Sequence, residues 1–148
     1  MTAAIEYLQQ RYNEEVPITG YLGLRVKAYD GNSIEVNAPL EPSRNTHGTA
    51  FGGSLYSIAA LTGWGLLHLR LKDDGIPSNA VIKGGEVEYH HPVTGTIVSR
   101  AKIDPEAYVQ FVEDYKAKGR GDLRQAVVIE TEKGVAMTLT GHYVAIRN

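Results

Sequence analysis

From Ser54 to Leu71 the chain is apolar at nearly every position, with no proline and no acidic side chain until Asp73. Leu55, Ile58, Ala59, Leu66 and Leu69 fall at helical spacing, and Trp64 and Leu67 widen the stripe until little polar face is left. A helix that is apolar on nearly all sides either spans a bilayer or sits in a core wrapped by the rest of the chain. Phe51 to Leu71 has about the length of a span. Yet Thr62, His68, Arg70 and several Ser and Gly lie inside it, each costly or only weakly apolar in lipid. The run therefore reads as a buried core helix, and the remaining chain must supply the surface that surrounds it. The stretch before it, from Asn45, is small and turn-prone, with Gly48, Gly52 and Gly53 free to take conformations closed to other residues. A helix that starts on glycines leaves backbone N–H groups open to a ligand.

A chain of 148 residues suits one domain, so residues 1–148 are read as a single unit large enough to bury a core unaided. There is no cysteine, which removes disulfides and thiolate metal sites. Fifteen Lys and Arg stand against 17 Asp and Glu, a formal charge of -2. That balance argues against nucleic acid or an anionic membrane as the main partner. The first fifteen residues carry Glu6, Glu14 and Glu15 and no apolar signal core, so a cytoplasmic protein is expected.

Ile5, Leu8 and Tyr12 recur at helical spacing in Thr2 to Glu15, and Pro17 closes that helix. Tyr21 to Tyr29 and Ser33 to Ala38 alternate about Asp30-Gly31, a hairpin signal. Pro39 and Pro42 break the second strand. After the central helix, Lys72 to Gly75 is a polar stop before Pro77. Asn79 to Tyr89 reads as a strand with a bulge or bend at Gly84-Gly85, and Ile97 to Ile103 as another. Pro105 to Lys118 has the marks of a helix: Asp104 to cap it, proline first, Gly119 after its end. Leu123 to Thr131 and Val135 to Ile146 are strands about Lys133-Gly134. The short connections predict an α+β chain, with a long antiparallel sheet of about six strands wrapped around the central buried helix. Such a sheet has open edges, and pairing edge to edge in a homodimer would remove two of them.

Between Asn45 and Gly53 the residue order becomes specific. Asn45, Gly48, Gly52 and Gly53 match the N-x-x-G-x-x-H-G-G signature that precedes the helix of hotdog-fold thioesterases of the phenylacetate type. The wider stretch GTAFGGSLYS, the V-x-Y-x-x-P run through Tyr89 and Pro92, and the closing GHYVAI resemble more closely the thioesterase-like domain at the C-terminus of YiiD-type acetyltransferases. The resemblance covers nearly the whole chain. It implies the hotdog fold, a homodimer, and an acyl thioester of coenzyme A or acyl carrier protein as substrate. No cofactor is implied beyond the coenzyme A of the substrate itself, and no metal. Two positions depart from the pattern. The signature histidine is Phe51, and the acidic residue seven positions after the second glycine, base or nucleophile in many hotdog thioesterases, is Ala60.

By the same resemblance, the Gly53 amide is the donor that polarises the thioester carbonyl, placed where the helix dipole favours developing negative charge. Gly52 and Gly53 could equally serve only to let the helix approach the sheet. Asn45 could hold water or substrate, or simply shape a turn. His47 in the same loop has the residue type of a general base. Tyr56, Ser57 and Trp64 fall near the face of Gly53 and Ala60, where Tyr56 or Ser57 could orient water in place of the missing carboxylate. His90-His91 cannot easily share one ion, since neighbours in a strand point to opposite faces. His90 is instead a candidate contact for the coenzyme, with Phe51, Gly52, Ser57, Ala60 and Trp64 lining the substrate. Lys116, Lys118, Arg120 and Arg124 form a basic run, a solvated face or a seat for coenzyme phosphates, with Arg120 the chosen contact. The leading expectation is a thioester hydrolase. The alternative is an acyl-CoA-binding module with little or no catalysis, favoured by Ala60. A hydroxyacyl dehydratase is the third reading, but it wants a His and an acid together.

Overall fold

The computed structural model describes residues 2–77 and 79–147. Helix α1 (Thr2–Glu15) leads into a short α2 (Ile18–Leu22), and strands β1 (Arg25–Tyr29) and β2 (Ser33–Ala38) follow. A single 3-10 turn (Glu41–Ser43) and a loop lead to α3 (Gly52–Asp73). Then come β3 (Asn79–Tyr89), β4 (Ile97–Lys102), α4 (Pro105–Lys118), β5 (Arg120–Thr131) and β6 (Gly134–Ile146). The six strands form one sheet in the order β1-β2-β4-β5-β6-β3, every neighbouring pair antiparallel. α3 lies across five of them, from β2 to β3, which is the hotdog arrangement expected from the sequence.

The local chemistry that marks the elements holds in detail. Asp30 accepts from the amides of Asn32 and Ser33, and Gly31 takes a φ of 95°, so the β1–β2 turn is built as its residues predict. Asp104 caps α4 through the amides of Glu106 and Ala107, and Gly119 closes it at φ 77°. β3 carries its irregularity between Ile82 and Gly84. One reading is corrected: the strand expected from Tyr21 starts only at Arg25, because Ile18 to Leu22 is helical. Thr19 donates from its hydroxyl to the carbonyls of Tyr12 and Val16, and Gly23 at φ 73° ends the turn. Pro17, read as a stop, also starts the next helix. No helix among the described residues is long and apolar enough to cross a membrane.

Leu55, Ile58, Ala59, Leu66, Leu67 and Leu69 of α3 are buried, and the inward residues of β2, β4, β5 and β6 close over them. The helix brings its own polar backbone into that core, and side chains answer it. Tyr143 donates to Ala60 O (2.8 Å), Tyr12 to Leu61 O (2.6 Å), Gln125 to Gly63 O (2.9 Å) and Thr62 to Ile58 O (2.7 Å). A carbonyl has a second lone pair beyond the helix ladder, so each buried donor is satisfied without breaking a turn. Glycine makes the approach possible. A Cβ on Gly63 would stand 2.2 Å from the Tyr143 hydroxyl, and one on Gly65 2.4 Å from that of Tyr12. Burial pushes the pKa of both phenols well up, so they stay neutral donors.

Gly63→Ala should therefore lower stability by about 1–3 kcal/mol in chemical denaturation, as overpacking does. Tyr143→Phe in the same chain should recover part of that, making the double variant cheaper than the sum of the two single ones. Strict additivity would show that the two groups do not compete for the same space.

Candidate functional site

The loop from Arg44 to Ala50 is a small closed structure. Arg44 and Ala50 form an isolated antiparallel bridge, and Gly48 turns at φ 78°. Asn45 is its organiser. Its Oδ1 accepts from the amides of His47 (2.9 Å) and Thr49 (3.1 Å), and its Nδ2 donates to Thr49 Oγ1 (2.9 Å) and Ala50 O (3.5 Å). The whole side-chain amide is thus spent inside the loop. Two further bonds fix where the loop delivers the chain: Ala50 N to Val93 O (2.9 Å) and Phe51 N to Ser43 O (2.6 Å). His47 stands exposed at the loop tip.

α3 begins where this loop ends. Ser54 N and Leu55 N both bond Phe51 O, which leaves the amides of Gly52 and Gly53 without an acceptor among the described residues. What crowds the two glycines is side chain, not sheet backbone. A Cβ on Gly52 would meet the Tyr89 ring at 3.3 Å, and one on Gly53 would lie 2.6 Å from the Phe51 ring. Close approach of helix and sheet is instead the work of residues further along, such as Gly63. The Tyr89 hydroxyl donates to Gly52 O (2.8 Å), pinning the first turn of α3 to the end of β3. Burial, and Tyr56 nearby, raise the Tyr89 pKa. Gly52, Gly53, Tyr89, His90, His91 and Pro92 line one pocket of about 480 Å³.

The two neighbouring histidines, just past the end of β3, part company. His90 Nε2 lies 3.5 Å from Thr138 Oγ1 on β6, and His91 Nε2 lies 2.8 Å from Thr131 Oγ1 at the end of β5. Tyr56 leans onto β3, its hydroxyl 2.7 Å from where a Gly85 Cβ would be. Ser57 donates back to Gly53 O (3.0 Å). Ala60 is half-buried and offers only a methyl group.

Trp64 is drawn into packing. Its indole N–H donates to Ala80 O (2.8 Å), and its ring stacks on His68 at 4.7 Å. His68 stacks in turn on Tyr7 of α1, whose hydroxyl is 2.9 Å from His68 Nε2. Arg120 stands apart. Its guanidinium is forked onto Asp122, which also bonds His142. It pairs with Ile146, as Asn79 does, whereas Tyr89 pairs with Met137. Arg120 and the glycine turn therefore lie at opposite ends of the sheet in one chain, roughly 33 Å apart along β3. Sequence reasoning missed the part played by Tyr89, although the Y-x-x-P run had drawn attention to it.

Comparison with known proteins agrees with this architecture. The family described as "Putative thioesterase (yiiD_Cterm)" matches residues 5–147. A protein of unknown function from Chlorobaculum tepidum TLS is 30% identical, with a TM-score of 0.91 over 97% of this chain and 94% of that one. A "putative thioesterase" from Shewanella oneidensis is 22% identical, with a TM-score of 0.86 over 99% of both chains. A Pseudomonas aeruginosa protein called a "probable thioesterase" is 19% identical, with a TM-score of 0.83 over 97% of this chain and 95% of that one. At their identities the last two speak for the fold.

Asn45→Ala removes four loop bonds at once and should cost about 1–3 kcal/mol in thermal or chemical unfolding. An unchanged melting curve would mean that the loop is held without it. His68 gives a pH test. Burial first, then the charges of Arg11 and Lys72 against that of Glu15, hold its pKa below the ordinary 6.5. The unfolded chain then binds the extra proton first as pH falls through 6.5, so stability drops with acidification until the folded pKa is reached. His68→Phe should flatten that slope below about pH 6.5 in denaturation curves.

Proposed function

Because this chain belongs to the YiiD C-terminal family of thioesterase-type proteins, we propose that it hydrolyses an acyl thioester carried by coenzyme A or acyl carrier protein. The observation that carries the reading is the pair of amides at Gly52 and Gly53, without an acceptor among the described residues, on glycines that line a pocket at the head of a 22-residue helix. Water attacks the thioester carbon, and negative charge gathers on its oxygen. The Gly53 N–H and the helix dipole meet that charge, an arrangement typically worth on the order of a hundredfold to a thousandfold in rate per donor. Collapse of the tetrahedral species breaks the C–S bond and releases thiol and acid.

Water activation is where this chain differs from enzymes with a carboxylate at position 60. Ala60 cannot take a proton. Asn45 acts through the loop, delivering Phe51 and the glycines to their places, since its amide has no bonding capacity left over. The proton falls to an imidazole, His90 in the pocket or His47 at the loop tip, with the Tyr56 hydroxyl assisting along α3. Phe51, Ser57 and Ala60 give the acyl group an apolar and small surface at the helix head. No cofactor is needed beyond the coenzyme A of the substrate. A reducing cytoplasm, where this reading places the protein, is compatible with a chain without cysteine.

The assembly proposed is a homodimer joined through β3. This edge strand is 11 residues long and leaves Val81 55%, Ile82 38% and Tyr89 51% exposed. A long edge with apolar side chains is a template for pairing with a second copy. Sedimentation at micromolar concentration should give a dimer, and a monomer would overturn this assembly.

The alternative of an acyl-CoA-binding module rests on Ala60. A panel of short, medium and aromatic acyl-CoAs and carrier-bound thioesters, assayed for free thiol with binding measured in parallel, separates the two. Turnover that falls at least about tenfold in His90→Gln or His47→Gln supports hydrolysis. Micromolar binding without turnover on any substrate favours the module.

A further inference from the structure

A second pocket, of about 480 Å³, lies at the far end of the sheet from the glycine turn. Asn79 at the start of β3, Tyr115 and Lys116 of α4, Ile146 at the end of β6 and Arg147 just after it line it. Its charge is one-sided. Arg147 is braced, with its backbone N–H on Gly119 O, its guanidinium on Lys116 O (3.3 Å) and its face toward the Tyr115 ring. Neither Lys116 nor Arg147 forms an ion pair among the described residues, unlike Arg120, whose fork is taken by Asp122, and Lys118, which faces Asp114 at 3.8 Å. The nearby Asp74 is already held by the Tyr108 hydroxyl and by Arg70. Two cations without carboxylate partners on a braced rim suit a phosphate.

Within one chain this pocket cannot serve a ligand at Gly53, because the length of β3 separates them. A two-fold axis changes that. Full-length antiparallel pairing of β3 with a second copy, with the bulge between Ile82 and Gly84 kept on each strand so that opposed side chains share a face, lays Asn79 of one subunit beside Glu88 of the partner subunit, next to Tyr89 of the partner subunit. The same register sets Ala80 opposite Val87 of the partner subunit, an apolar cross-strand pair. The basic pocket of each chain then adjoins the glycine turn of the other. We propose that Lys116 and Arg147 hold the phosphates of a thioester whose acyl carbonyl sits at the Gly52–Gly53 turn of the partner subunit. The inference rests on the thioester reading and on β3 pairing. It replaces Arg120, the basic residue singled out in the sequence, with two neighbours that form no ion pair among the described residues.

The test compares Lys116→Ala/Arg147→Ala with the natural chain on three thioesters of one acyl group: on coenzyme A, on phosphopantetheine and on pantetheine without phosphate. The ratio of kcat/KM for the coenzyme A ester to that for the pantetheine ester should fall at least about tenfold, carried by KM. A fall shared by the phosphopantetheine ester assigns the pocket to the phosphate next to the pantetheine arm. A fall confined to coenzyme A assigns it to the nucleotide phosphates. An unchanged ratio overturns the proposal, as does a chain that sediments as a monomer. If the natural chain turns over no thioester, the hydrolase reading fails separately. Calorimetry with coenzyme A then decides this inference, with at least tenfold weaker binding in the variant expected and equal binding overturning it. Should the double variant fail to fold, Lys116→Gln, at an exposed helix position, takes its place with the same two readings.

Discussion

The fold depends on how an apolar helix can be buried without stranding its backbone. α3 is covered on most sides, and burial of that area is the main favourable term available to a chain of this size. Covering it also brings Tyr12, Tyr143 and Gln125 into a place without water, where an unmet hydroxyl or amide is expensive. The solution is to aim them at carbonyls of the same helix, at Ala60, Leu61 and Gly63. α1 and two central strands are thereby tied to one short stretch of α3. Gly63 and Gly65 are the condition for this, since any side chain there would hold the hydroxyls off.

Much of this was legible in the sequence because its causes are local. The apolar run, the Asp30-Gly31 turn and the Asp104 cap with Gly119 are each decided by neighbours a few residues away. α2 was not legible, because Tyr21 to Tyr29 alternates and its helical half is fixed by a bond from Thr19 back to Tyr12 and by Gly23. The roles of Gly63 and Gly65 were likewise hidden, since they answer hydroxyls up to 80 residues away in the chain. At the candidate site, the residue types at Asn45 and Gly53 drew attention to the loop and the helix start. What spacing could not reveal is that Asn45 spends its amide on the loop, that Trp64 is committed to Ala80 and His68, and that Arg120 lies at the far end of the sheet.

The site itself shows how a fold and a chemistry separate. In the proposed hydrolysis the donor half of the machinery is backbone, so it follows from the loop and the helix start whatever side chains surround it. The acceptor half, the group that would take a proton, is side chain and is set by single residues, and position 60, an alanine here, offers none. A fold can therefore be shared while the route to water activation differs.

Tyr89 belongs to two structures at once. It ends the exposed edge strand, and its hydroxyl holds the first carbonyl of α3. Whatever pairs with that edge touches the residue that fixes the helix start, and whatever settles at the helix start presses on the same ring. Two such events share one side chain and are thermodynamically linked: to the extent that one favours a given placement of Tyr89, the other is strengthened or weakened by an equal factor. Were a ligand to settle at the turn and a second copy at the edge, affinity at the turn would depend on protein concentration, and self-association on ligand.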